Sequence, residues 1–165
     1  MTNPCSPGGL TALNGASLTS QPAQAPVSFP LPTQLAGLQV TVNGIPAPLL
    51  FASSSQVRFQ CPLLPPGTAL NITLQGPDGF TAGPVVSVMQ AADPELFTLG
   101  ATTQGVILVG ATNELAVLVS QAVASRPARA GESLTIYASG LGDFSGNVPV
   151  GTAAPLDLPI RLQNR

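Results

Sequence analysis

The chain has 165 residues, only 7% of them charged, a net charge of −2, and neither lysine nor histidine. Five scattered arginines (Arg58, Arg126, Arg129, Arg161 and Arg165) build no basic face, so neither nucleic acid nor an anionic lipid surface is expected as a partner. Without His or Lys, the Ser-His-Asp, Cys-His, Ser-Lys and Schiff-base arrangements are excluded, and so is a zinc site built from Cys and His.

With 44% apolar residues but few aromatics and no Trp, the core must be built from Val, Leu, Ile and Ala. The 18 Pro and 17 Gly cut the chain into short segments and argue against long helices. An apolar fraction this high argues against disorder, so the expected class is all-β with many turns. The longest apolar runs, such as Val106–Val109, are far too short to span a bilayer, and no membrane insertion is expected. The opening MTNPCSPGG shows neither a charged nor an apolar signal region. Two readings follow, a cytosolic chain or a mature secreted segment. The low charge, the many Ser and Thr and the missing Lys favour the second.

Taken in chain order, the first clear element is Leu38–Val42, whose apolar members alternate onto one face. Asn43-Gly44 then offers a two-residue hairpin turn. The returning segment carries Pro46 and Pro48, which cannot donate to a ladder. Residues i and i+2 present their N–H groups to the same edge, so the two prolines would blank one edge and leave the other free to pair near Val40 and Val42. That reading is an edge strand protected against further pairing; the other is a polyproline-like loop. Val57–Cys61 alternates next, with Cys61 on the side of Val57 and Phe59. Leu70–Gln75 follows, then Phe80–Met89, interrupted by Gly83-Pro84. Turn signals at Ser53-Ser54-Ser55, Pro65-Pro66-Gly67 and Gly76–Gly79 separate them. Strands every 8 to 12 residues indicate a sandwich or barrel.

Ala91–Glu95 reads as a connector. Gln104–Gly110 and Glu114–Ser120 form a second candidate hairpin around Ala111-Thr112-Asn113, without alternation, as if covered on both faces. PGGLTALNGASL (7–18) and AGESLTIYASGL (130–141) align without a gap: a turn glycine, a short strand, a small-residue turn and a leucine. Each is expected to open one β unit. The division expected is 1–90 as the first unit and 91–165 as the second, incomplete at its C-terminal end.

Gly8–Leu18, PLPTQLAGLQVTVNGIPAPLLFASSSQVRFQCP (30–62), PPGTALNITLQG (65–76), RAGESLTIYASGLG (129–142) and VPVGTAAPLDLP (148–159) together resemble an uncharacterised module found near the C-termini of large secreted acidobacterial proteins. Its pattern is similar to immunoglobulin-like domains of the IPT/TIG type. The resemblance implies an immunoglobulin-like antiparallel β-sandwich outside the cell, with no assigned enzymatic activity. The family continues with further strands past the position of Arg165, and it has a proline-containing turn where Asp143-Phe144 stands here.

Cys5 and Cys61 are the only cysteines. In a secreted chain an even count points to a bridge, and closing so long a loop would contribute roughly 4 kcal/mol. The other reading is a pair of buried or frayed thiols. The carboxylates Asp78, Asp93, Glu95, Glu114, Glu132, Asp143 and Asp157 are spread over turns. A glycosidase needs two of them face to face, and calcium at Asp93/Glu95 or near Asp143 has no loop motif behind it. Gly140–Gly146 lacks the spacing and the following helix of a nucleotide loop. Asn71-Ile72-Thr73 fits the N-glycosylation pattern but reads more simply as the wet face of a strand.

No catalytic residues, metal ligands or cofactor are expected. The expected role is a non-catalytic, secreted or surface-exposed structural or interaction module of a larger protein. Its expected partners are the neighbouring domains, a protein or polysaccharide, or a second copy pairing through an open strand edge. The alternative is a carbohydrate-binding module, for which Tyr137 and six Phe are the aromatics on hand.

Overall fold

A computed structural model of the chain describes residues 4–100, 102–110, 112–118, 124–146, 148–153 and 162. Among these residues the protein is all β, in several largely antiparallel sheets, with a 3₁₀ turn at Pro77–Gly79 and no α-helix. It divides into two compact units: Met1–Asp93 together with Gly140–Arg165, and Pro94–Ser139.

The first unit holds β1 (Leu10–Asn14), β2 (Ala23–Gln24), β3 (Gln39–Val42), β4 (Ile45–Pro46), β5 (Leu49–Ala52), β6 (Gln56–Gln60), β7 (Ala69–Gln75) and β8 (Thr81–Val88). They form two four-stranded sheets, ordered β1-β6-β5-β2 and β4-β3-β7-β8. Alternation decides what is buried. Val40 and Val42 of β3, Val57 and Phe59 of β6, and Leu70, Ile72 and Leu74 of β7 enter one core with Leu38, Leu49 and Met89, while Arg58 and Asn71 stay in water. Phe59 is the largest fully buried side chain; its removal from water alone is worth about 1.5–3 kcal/mol. A bulge between Leu49 and Phe51 keeps Leu49 opposite Phe59 but sets Phe51 opposite Arg58 on the outer face. There the guanidinium lies 5.9 Å from the ring centroid.

Asn43 (φ 51°) and Gly44 (φ 79°) take the left-handed conformation that a tight hairpin turn requires. The prolines after it resolve to the edge-strand reading. β4 is the outermost strand of its sheet, with Thr41 opposite Pro46 and Val42 opposite Ile45, and the Ala47 N–H donates to the Val40 carbonyl at 2.9 Å. From Leu49 the chain joins the other sheet as β5. The strand interrupted by Gly83-Pro84 is β8, whose register shifts between the partners Ile72 and Leu74 of β7.

Residues 140–153, assigned from sequence to the second unit, belong with the first. The Asp93 N–H donates to the Gly140 carbonyl at 2.8 Å, the Gly151 N–H donates to Gln60 Oε1 at 2.7 Å, and the Leu31 N–H donates to the Gly151 carbonyl at 2.7 Å. Glycine is required at both joints. A Cβ on Gly140 would run into the Asp93 carbonyl, and one on Gly151 would come within 2.9 Å of the Pro48 ring. The second unit therefore ends at Ser139 rather than at the chain's C-terminal end. Asp157 and most of the 154–165 stretch lie outside the described residues.

The second unit contains β9 (Glu95–Leu96), β10 (Ile107–Val109), β11 (Glu114–Ala116), β12 (Ser125–Arg126), β13 (Leu134–Ile136) and β14 (Ala138–Ser139). One sheet runs β12-β11-β10-β13, and β14 pairs with β9. The expected hairpin is β10–β11, with Leu108 opposite Leu115 and Val109 opposite Glu114, and Asn113 at φ 56° in its turn. β11 ends at Ala116; Ala111 and residues 119 and 120 lie outside the described residues. β11 and β12 are parallel. Val109 and Leu115 are the hydrophobic residues of this unit that are buried among the described ones.

Candidate functional site

Cys5 and Cys61 are joined by a disulfide, with their Cα atoms 5.9 Å apart. Cys61 follows β6 directly and keeps the inward direction of Val57 and Phe59. Cys5 pairs with Met89 just past β8 in a parallel bridge, and its carbonyl accepts the Gln90 N–H at 2.7 Å. The bond thus links the end of one sheet to the end of the other. Both cysteines are buried.

Among the described residues the carboxylates do not gather into one site. Asp93 is exposed in the first unit, and Glu95 is exposed in β9 of the second. Asp143 Oδ1 accepts the N–H of Phe144 at 3.0 Å. Asp78 falls in the 3₁₀ turn, and Asp157 lies outside the described residues. Glu114 and Glu132 do meet, on Arg126. Nε of Arg126 lies 2.9 Å from Glu114 Oε2, and its two terminal nitrogens take both oxygens of Glu132 at 2.8 and 2.9 Å. The Arg129 N–H adds a third bond to Glu132 at 2.8 Å. These donors hold the Glu132 carboxyl down to about 2, Arg126 first and the Arg129 backbone second. Thr112 and then Arg126 lower Glu114, and the two carboxylates raise Arg126. Two acids locked onto a guanidinium are stable as anions, the opposite of what a general acid needs. Spacing alone did not reveal this cluster, because it takes the parallel β11–β12 pairing to bring Glu114 beside Arg126. The visible sign was a concentration of opposite charges in an almost uncharged chain.

Gly140, Gly142 and Gly146 all have positive φ, and a Cβ on Gly142 would meet the Ala91 carbonyl at 2.8 Å. This loop is a turn that presses the returning chain against the first unit. Gln60, which sequence analysis passed over, fastens it by donating to the Gly8 carbonyl at 3.0 Å while accepting from Gly151. Asn71 is exposed and Thr73 half-buried on the outer face of β7. Among the described residues no group of three or more His, Cys, Asp or Glu could hold a metal ion, and no helix is long and apolar enough to cross a membrane.

What the fold leaves available is strand edge and exposed apolar surface. In the first unit three of the four outer strands, β4, β8 and β2, are blunted. β4 carries Pro46 and leads into Pro48. β8 carries Pro84 and is partnered by Cys5 at its end. β2 has only two residues. In the second unit β12 is equally short, but β13 is an outer strand whose Leu134, Thr135 and Ile136 are all exposed. Beside it, the Phe97 N–H donates to the Tyr137 carbonyl at 3.1 Å, and both residues are roughly half exposed, at 43% and 46%.

No family model matches the chain, and no curated protein or solved structure is significantly similar to it.

Proposed function

We propose that the protein is a non-catalytic, extracellular structural or interaction module of a larger secreted or surface protein, with an immunoglobulin-like sandwich of the IPT/TIG type as its main unit. The observation that carries this reading is the buried Cys5–Cys61 disulfide clamping two sheets. Such bonds persist in oxidising compartments. The side-chain inventory supports it: the chain has no His or Lys, and Glu114 and Glu132 are committed to Arg126. The test is fractionation of the source cells, followed by mass spectrometry of the native protein under non-reducing conditions. The reading expects the chain outside the cytoplasm with both cysteines closed to a thiol label. Cytoplasmic protein with two labelled thiols sinks the extracellular reading. Turnover of an ester, peptide or glycoside substrate that disappears in Glu114→Gln or Glu132→Gln sinks the non-catalytic one.

A second reading, carbohydrate binding, is favoured by one observation. Phe97 and Tyr137 are joined by a backbone bond and are both exposed to solvent, and exposed aromatics are what a pyranose ring stacks on. A glycan array probed with the native chain and with Tyr137→Ala separates the two: binding lost in the variant supports the sugar platform, and no binding by either leaves the structural module.

A further inference from the structure

The second unit leaves one strand edge that nothing in the described chain covers, and its chemistry is that of a self-complementary surface. The segment is Ser133-Leu134-Thr135-Ile136-Tyr137-Ala138-Ser139, which spans β13 and β14. Its inward side is defined by three backbone hydrogen bonds. The Gly110 N–H donates to the Ser133 carbonyl at 2.9 Å, the Tyr137 N–H donates to Val106 at 3.1 Å, and the Tyr137 carbonyl accepts from Phe97 at 3.1 Å. In an extended strand the N–H and C=O of one residue point the same way and alternate along the chain. Residues 133, 135, 137 and 139 therefore face β10 and β9. Leu134, Ile136 and Ala138 aim their backbone donors and acceptors outward.

No proline interrupts this edge and no charge guards it, whereas the outer strands β4 and β8 of the first unit carry Pro46 and Pro84. An apolar strand edge left in this condition is a template for another strand.

The segment itself specifies which strand. Read backwards it is Ser-Ala-Tyr-Ile-Thr-Leu-Ser, nearly its own reverse. We propose that Ser133–Ser139 pairs antiparallel with the same segment of a second copy of the chain, with Ile136 on the two-fold axis. In that register Leu134 meets Ala138, Thr135 meets Tyr137, Ile136 meets Ile136, and the two serines meet at the ends. Opposed residues share a face. One face of the joint is then wholly apolar, from Leu134, Ile136 and Ala138 of both copies. It continues the face of Ile107 and Val109, which lie opposite Ile136 and Leu134 in the existing sheet. The other face carries Thr135 and Tyr137. The register also makes 136–136 and both 134–138 pairs hydrogen-bonded ones, so every outward backbone group finds a partner. Shifting it by one residue would oppose inward-pointing groups to outward-pointing ones and lose them all. The contact is isologous and closes on itself. A seven-residue edge is a small interface, so the dimer is concentration-dependent rather than permanent.

The test uses the full chain. Sedimentation across a concentration series is expected to show a monomer–dimer equilibrium. Amide exchange at Leu134, Ile136 and Ala138 is expected to slow as concentration rises, with no matching change at Thr135 and Tyr137. Ile136→Lys sets two ammonium groups against each other at the axis and should weaken association by about tenfold or more. Ile136→Glu should do the same, and mixing the two variants should restore a dimer. That rescue also shows that each variant folds. A chain that stays monomeric throughout overturns the proposal. So does a dimer in which those three amides exchange at a rate independent of concentration, or one that survives Ile136→Lys unchanged. Slowing at Leu134 and Ile136 but not at Ala138 overturns the register.

Discussion

One similar stretch occurs in both units, but it opens the first and, against the expectation from sequence, closes the second, and the physics around it differs. Gly8 (φ 67°) leads into β1 and Gly131 (φ 88°) leads into β13, each a turn glycine followed by a short edge strand. Thr11, Ala12 and Leu13 of β1 are buried, while every residue of β13 is exposed. The first unit has two four-stranded sheets to cover its strand. The second has one comparable sheet and two buried hydrophobics among the described residues. What a strand sequence becomes depends on how much surface the rest of its unit can bring against it. The first unit rests on its core and a disulfide. The second rests on ladder hydrogen bonds and an arginine gripped by two carboxylates, interactions that water weakens.

That contrast can be broken by mutation. Phe59→Ala is expected to cost the first unit about 3–5 kcal/mol, while Val109→Ala, in the second, should cost about 1–2 kcal/mol. Urea unfolding followed by unit-resolved amide exchange compares them, and equal costs would erase the distinction drawn here. Replacing both Cys5 and Cys61 with Ala should lower the stability of the first unit by about 2–4 kcal/mol and leave protection at Val109 and Leu115 unchanged. Asn43→Ala should cost about 1–2 kcal/mol, read from the chemical denaturation midpoint. The alanine meets the left-handed φ of the turn and loses two bonds, the Asn43 amide to the Ala69 carbonyl at 2.9 Å and the Asn71 N–H to Asn43 Oδ1 at 2.7 Å.

The smallest effect is expected from acid, and it is confined to the second unit. Glu132 has its carboxyl lowered from 4.5 to about 2 in the folded chain, so the folded state binds the proton more weakly than the unfolded one. Its contribution is fully present above pH ~4.5 and is lost as pH falls through about 2. Glu114 shifts the same way. Protection against amide exchange, taken relative to the unfolded chain at the same pH, should fall in β11 and β12 between these limits while that of β6 and β7 holds, and Glu132→Gln should flatten the response.

Alternation made β3, β6 and β7 legible because each has one wet and one dry face, and a period of two leaves only one way to arrange them. Asn43-Gly44 was legible because few residues tolerate positive φ in succession. Pro46 in β4 and Pro48 just after it marked an edge through the donors they lack. The direction of Cys61 followed from its place two residues after Phe59, and in a chain with two cysteines Cys5 was its one candidate partner; that the bond closes depends on the N-terminal segment pairing beside Met89. The return of residues 140–153 to the first unit was hidden for the same reason: a run of glycines and small residues carries no period, and its address is written in contacts with Asp93, Gln60 and Leu31.

By itself the sequence determined the all-β class, the strands with one wet face, the turn at Asn43-Gly44 and the absence of His- and Lys-dependent chemistry, since these depend on residue type and near-neighbour spacing. Only the tertiary structure decided where the second unit ends, which acids share Arg126, that Cys5 and Cys61 close a bond rather than stay free thiols, and which edge the described residues leave uncovered. Those outcomes depend on residues distant in the chain being brought together, and no local pattern encodes that distance.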